Sequence, residues 1–139
     1  MRILLTGRAG FIGRNFIRFL HHNFTDMNIT VVDNLSEDPN TFFEQGLQHK
    51  VKGFLTMDVA SPIFADWASH WKFDLVIHCA AIVGGKLAQE QGPLVISRNL
   101  AIDQAIIGLV QKGLAPELIF FSSCAAYACL LYTSDAADE

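Results

Sequence analysis

Three glycines, Gly7, Gly10 and Gly13, follow one another at intervals of three, after the apolar run Ile3-Leu4-Leu5 and before a segment of helical periodicity. At a strand-to-helix junction this spacing lets the backbone turn tightly and presents bare N–H groups at a helix N-terminus, where the partial positive charge favours a diphosphate. The first interval is one residue longer than in the G-x-G-x-x-G pattern, so the assignment depends on context. A tight turn without a ligand would use glycine as well. The context is Asp33, 20 residues after Gly13 at the end of the next apolar strand. A carboxylate there can accept hydrogen bonds from adenosine ribose hydroxyls and repels a 2′-phosphate, so NAD is expected over NADP. Arg8 inside the loop is a counter-signal, because a guanidinium suits a 2′-phosphate. The plainer alternative for Asp33 is a polar strand end.

The elements that must position this loop are legible from periodicity. Arg2 to Thr6 reads as a strand, and Phe11 to His22 as a helix with Ile12, Phe16, Phe19 and Leu20 on one face. Ile29 to Val32 is a β-branched strand ending on Asp33, which completes a βαβ unit. Gly53 to Met57 is a third strand ending on Asp58, followed by a Pro62-led helix whose Phe64, Trp67 and Trp71 fit a core better than a cofactor contact. Asp74 to His78 is a fourth strand running into the small residues Cys79-Ala80-Ala81, which would let a ribose or flat ring lie against the backbone or simply pack tightly. His78 reads as a hydrogen-bonded structural residue. A loop with Gly84-Gly85 leads to a helix from Pro93 to Lys112, with Val95, Ile102, Ile106, Leu109 and Val110 inward and Asn99 either solvated or facing a cofactor. Leu118 to Phe121 is a fifth strand ending on Ser122-Ser123-Cys124, whose hydroxyls would lie near a nicotinamide or cap a turn. The expected fold is α/β, a Rossmann-like doubly wound parallel sheet truncated after about five strands.

Length and composition narrow the function classes. The 139 residues suffice for one domain with a sizeable core, and 51% hydrophobic residues suit strands buried on both faces. A net charge of −4 offers no basic stripe for a phosphate backbone, so nucleic acid is not an expected partner. Cys79, Cys124 and Cys129 are odd in number and lack C-x-x-C spacing, which fits free thiols in a reducing cytoplasm. No apolar run approaches the ~18 residues of a membrane span, and no metal-ligand cluster is evident.

With the fifth strand placed, residues 1 to about 128 resemble the amino-terminal part of an extended short-chain dehydrogenase/reductase, the NAD-dependent epimerase/dehydratase group. The resemblance rests on Thr6-Gly7-Arg8-Ala9-Gly10-Phe11-Ile12-Gly13, Val32-Asp33-Asn34-Leu35, Met57-Asp58-Val59, His78-Cys79-Ala80-Ala81, Asn99 and Phe121-Ser122-Ser123-Cys124-Ala125-Ala126-Tyr127. It implies that the Phe11 and Ile12 N–H groups meet the diphosphate, that Asp33 and Asn34 hold the ribose, and that Asp58 and Val59 border the adenine. Ala80, Ala81 and Asn99 would line the rest of the NAD site. Ser123, four residues before Tyr127, matches the family's catalytic serine, with Ser122 the alternative if the alignment is anchored on Ser-Ser-Cys. Ile82 stands where related reductases carry a lysine, and Cys124 is either an acid/base group or a buried structural thiol.

The resemblance further implies hydride transfer on a nucleotide sugar, with a homodimer as one expected assembly of the parent protein. The family's Tyr-x-x-x-Lys pair, in which the lysine lowers the tyrosine's pKa, does not occur in these 139 residues, so this polypeptide is not expected to turn over. Its last stretch, from Cys129 to Glu139, resembles the translation of a sequencing-library adaptor. The expected organisation is therefore an incomplete NAD-binding domain over 1–128 and a non-native tail over 129–139. A dinucleotide-binding sensor without catalysis is the alternative on the same fold.

Overall fold

A computed structural model describes residues 1–25, 27–36, 51–83 and 92–122. Its elements are β1 (Arg2–Thr6), α1 (Phe11–Asn23), β2 (Asn28–Asp33), β3 (Gly53–Thr56), α2 (Pro62–Ser69), β4 (Leu75–His78), α3 (Gly92–Gln111) and β5 (Glu117–Phe120). The strands form one parallel sheet in the order β3-β2-β1-β4-β5, with Leu4 beside Thr30 on one side and Val76 on the other. This is the Rossmann-like order, in which the chain reverses direction across the sheet at β1.

Alternation along each strand divides the core between the two sheet faces, since successive side chains point to opposite sides. Ile3, Leu5, Val31 and Ile77 pack with Ile17 and Leu20 of α1. Leu4, Val32 and Val76 pack with Phe64 and Ala68 of α2 and with Ile102, Ile106 and Leu109 of α3. Apolar runs such as Ile3-Leu4-Leu5 are thus covered by a helix on either side. At the start of α2, Ser61 Oγ accepts the Phe64 N–H at 3.1 Å and Pro62 occupies the first turn, which together satisfy a helix start at little cost.

Two expectations change. The buried face of α1 is Gly13, Ile17 and Leu20, whereas Ile12 and Phe19 are exposed. The helix is turned because Gly13, the one residue of that turn without a side chain, lies against the glycine loop. By length and composition α3 is apolar enough to cross a membrane, which the absence of a long apolar run did not suggest. In this fold it packs on the sheet through Val95, Ile102, Ile106 and Leu109. The aromatic residues after Pro62 form a ladder, with Trp67 ring centroids 6.0 Å from Phe64, 6.2 Å from Trp71 and 6.0 Å from Phe73, on the α2 side of the sheet.

Candidate functional site

The order reversal brings the carboxyl ends of β1 and β4 together, and open parallel sheets bind ligands in the crevice outside such ends. The turn leaving β1 fits that position only with glycine. Gly7 has φ of 75°, and a Cβ there would lie 2.4 Å from Ala80 N and 2.5 Å from Cys79 C. A Cβ on Gly13 would lie 2.4 Å from Gly7 O and 2.7 Å from Arg8 Cα, so α1 rests directly on the turn. Gly10 is the N-cap of α1 and supplies no side-chain cap; the first intrahelical bond runs from Arg14 N to Gly10 O. The Phe11, Ile12 and Gly13 N–H groups consequently have no acceptor within the helix.

Asp33 closes the opposite side. Its buried carboxylate accepts the Ala9 N–H at 2.6 Å through Oδ2 and the Leu35 N–H at 2.7 Å through Oδ1. It therefore ties the glycine loop to the tip of β2. Leu35 takes a φ of 58°, a conformation that costs a side-chain-bearing residue about 1–3 kcal/mol and that the Asp33 contact holds in place. Asn34 Oδ1 accepts the Ser36 N–H at 3.1 Å. Farther along, Asp58 Oδ1 accepts the Ala60 N–H at 2.9 Å, and its other oxygen lies 3.4 Å from Arg98 Nη1 of α3.

These groups surround one pocket. Of the residues expected from the sequence, Gly7, Gly10, Asp33, Asn34, Asp58, Val59, Ala80 and Ala81 line it together. Phe11, Ile12 and Gly13 follow Gly10 as the first turn of α1 and do not line it. Asn99 does not line it either. Its side chain accepts the Ile82 N–H at 2.8 Å and donates to Ile82 O at 3.1 Å, so it fastens the loop after β4 to α3. Ser123, Cys124 and residues 129–139 lie outside the described residues.

Cys79 lines it with Ala80 and Ala81, as their small size suggests, and Ala9, Ser36, Met57, Ile82 and Ile102 line it without having been singled out by the sequence. Met57 adjoins Asp58 and Ile82 adjoins Ala81, which is the signal that points to them; Ile102 reads only as a core position of α3. Arg8, which raised the question of a 2′-phosphate, is buried with its guanidinium 5.8 Å from the Phe54 ring centroid and takes no part in the lining. Among the described residues no group of His, Cys, Asp and Glu could hold a metal ion.

The arrangement fits a dinucleotide. A turn that excludes any Cβ, a helix start with open N–H groups, and a carboxylate with further acceptor capacity follow one another around a pocket of small residues. Burial pushes the Cys79 thiol up to about 11, so it remains protonated near neutral pH. Alkylation by iodoacetamide at pH 8 should therefore be about 100-fold slower at Cys79 than at an ordinary thiol. Peptide mass spectrometry of timed reactions checks this, and labelling of Cys79 as fast as in the urea-unfolded chain would contradict it.

A model of the NAD dependent epimerase/dehydratase family matches residues 3–137. Among solved structures, the chain is similar to a UDP-Glc/GlcNAc 4-epimerase from Campylobacter jejuni, with 26% identity and a TM-score of 0.78. That match covers 91% of this chain and 38% of the epimerase. A dTDP-glucose 4,6-dehydratase from Streptomyces venezuelae, solved with NAD bound, shares the fold at 21% identity and a TM-score of 0.75, over 88% of this chain and 39% of the dehydratase. A curated relative, an uncharacterized protein of Methanocaldococcus jannaschii, is 24% identical over 131 residues, covering 90% of this chain and 40% of its own. The chain thus spans well under half the length of the proteins it matches.

Proposed function

The chain belongs to the NAD dependent epimerase/dehydratase family, and on that premise we propose that it is the NAD-binding part of an enzyme that epimerises, dehydrates or reduces a nucleotide sugar. The observation that carries this reading is the juxtaposition of the Gly7 turn, the open start of α1 and the Asp33 carboxylate around one pocket. A bound nicotinamide supplies a hydride acceptor and donor. The residues of this chain bind and orient it. The Phe11 and Ile12 N–H groups receive the diphosphate, Asp33 and Asn34 the adenosine ribose, and Asp58 and Val59 border the adenine. Ala80 and Ala81 form a flat wall along the dinucleotide, and Asn99 holds that wall in place through Ile82.

NAD is favoured over NADP because Asp33 presents negative charge where a 2′-phosphate would lie, while Arg8 is turned away under Phe54. Substrate activation falls to Ser123, with Ser122 as its alternative. No Tyr-x-x-x-Lys pair occurs in the 139 residues, so the chain by itself binds cofactor without turnover. Three cysteines without C-x-x-C spacing and the lack of a basic stripe suit a cytoplasmic protein that works on a small molecule.

Titration of the 139-residue chain with NADH, followed by nicotinamide fluorescence, tests this reading. Saturable binding is expected, at least about tenfold tighter than NADPH, since opposed like charges cost more than about 1.4 kcal/mol. Equal affinity for the two would refute the NAD preference, and no binding of either would refute the function.

A further inference from the structure

The site is built where three elements meet, and one buried side chain touches all three. His78 ends β4 and is 3% exposed. Its Nδ1 lies 2.6 Å from Thr6 Oγ at the end of β1, and its Nε2 lies 3.2 Å from Asp103 Oδ1 on α3. The Phe120 ring of β5 packs against the imidazole at a tilt of 40°, with centroids 5.7 Å apart. Each polar member of this chain adjoins a residue of the pocket: Thr6 precedes Gly7, His78 precedes Cys79, and Asp103 follows Ile102.

We propose that His78 is a positioning residue for the dinucleotide site, a neutral imidazole that braces β1 against α3 and so sets the gap between the Gly7 turn and the Ala80–Ala81 wall. The inference rests on the cofactor reading above and adds a residue that contacts no ligand.

The proton's place follows from the partners. A carboxylate only accepts, so the hydrogen on the side facing Asp103 belongs to Nε2; Nδ1 then keeps its lone pair and receives the Thr6 hydroxyl. Among the described residues, the groups that meet the ring are the Thr6 hydroxyl from β1, the Asp103 carboxylate from α3 and Phe120 from β5, of which Asp103 is the charged one. Burial lowers the pKa of His78 from its ordinary 6.5, and the hydrogen bond and charge of Asp103 oppose that shift only in part. The ring is therefore neutral at pH 7.

The brace acts where tolerance is least. Cys79 N donates to Thr6 O at 3.0 Å, and one residue farther on Gly7 and Ala80 approach so closely that no Cβ fits between them. A shift of β4 against β1 at this point changes the depth of the cradle directly. Protonation of His78 would place a second hydrogen on Nδ1, facing Thr6, and would oblige the hydroxyl to reverse its role. Because the folded pKa lies below the unfolded one, the stabilisation is complete above pH 6.5 and is lost as the pH falls from there through the lowered folded value.

Calorimetric titration with NAD, together with imidazole and amide NMR of the full 139-residue chain, tests the proposal. Thr6→Val and Asp103→Ala should each weaken binding about fivefold to tenfold, the scale of one net hydrogen bond. Asp103→Asn, which keeps an acceptor oxygen, should stay within about twofold of wild type. Wild-type affinity should hold at pH 6.5 and fall as the pH drops through the lowered folded pKa of His78, and His78 should carry its proton on Nε2 at pH 7. Affinities of Thr6→Val and Asp103→Ala within twofold of wild type, or a proton on Nδ1, would overturn the proposal. If the wild-type chain binds no NAD, the cofactor reading itself fails. The amide shifts of Gly7 and Ala80 in Asp103→Ala, a substitution remote in sequence from both, then decide the bracing alone: displaced shifts support it, and unmoved ones refute it.

Discussion

Gly7→Ala is expected to lower the stability of the chain by about 2–5 kcal/mol and to abolish dinucleotide binding. Two separate effects add. A φ of 75° disfavours any residue with a Cβ by about 1–2 kcal/mol, and the added atom meets the backbone of Cys79 and Ala80 rather than a side chain that could move aside. Overpacking of that kind costs about 1–3 kcal/mol. Against the 5–15 kcal/mol typical of a domain the loss is large, and thermal denaturation should show a fall of more than about 8 °C. Gly10→Ala provides the contrast. Its Cβ would lie 3.4 Å from Gly7 O, and its φ of −69° suits alanine, so stability should change by no more than about 1 kcal/mol. The new methyl would nevertheless stand where the pocket meets the start of α1, and NAD affinity should drop tenfold or more. A stable Gly10→Ala variant with unchanged affinity would show that the loop is a folding device and holds no diphosphate.

Replacement of Asp33 should separate structure from cofactor preference. Asp33→Ala leaves two N–H groups, on Ala9 and Leu35, without their acceptor, at about 1–3 kcal/mol each. Asp33→Asn keeps one oxygen and loses one of the two bonds, at about 1–3 kcal/mol. It also removes the charge opposed to a 2′-phosphate, so the ratio of NADPH to NADH affinity should rise at least tenfold. Chemical denaturation and paired fluorescence titrations measure the two effects. A destabilised Asp33→Asn variant with an unaltered affinity ratio would leave the carboxylate a purely structural role.

Much of this was legible in the sequence because parallel strands and glycine turns leave local marks. Ile3-Leu4-Leu5 and Ile29 to Val32 announce buried strands, and the three glycines with Asp33 announce the cradle. What could not be read depends on partners distant along the chain. Asp33 bonds Ala9, 24 residues away, so the carboxylate that looks like a ribose acceptor is also the tie that shapes the loop. Asn99 reads as either solvated or facing a cofactor, and in the structure its amide bonds the backbone of Ile82, 17 residues earlier. The azimuth of α1 departs from its apolar periodicity for a related reason. Apolar periodicity favoured Ile12 and Phe19, but the backbone contact between Gly13 and Gly7 O outweighs it, because no side chain fits there. Arg8 gives the same lesson in reverse, as a charged residue in a candidate phosphate loop that is buried against Phe54.

The central claim is that the carboxyl edge of this sheet holds a dinucleotide in one defined place. The most direct measurement is a titration of the isotopically labelled chain with NAD, followed amide by amide. The largest shifts are predicted at Gly7, Gly10, Phe11, Ile12, Asp33, Ala80 and Ala81. Shifts confined to the other end of the sheet, around the cavity lined by Arg2, Lys52, Trp67 and Trp71, or none at saturating NAD, would contradict it.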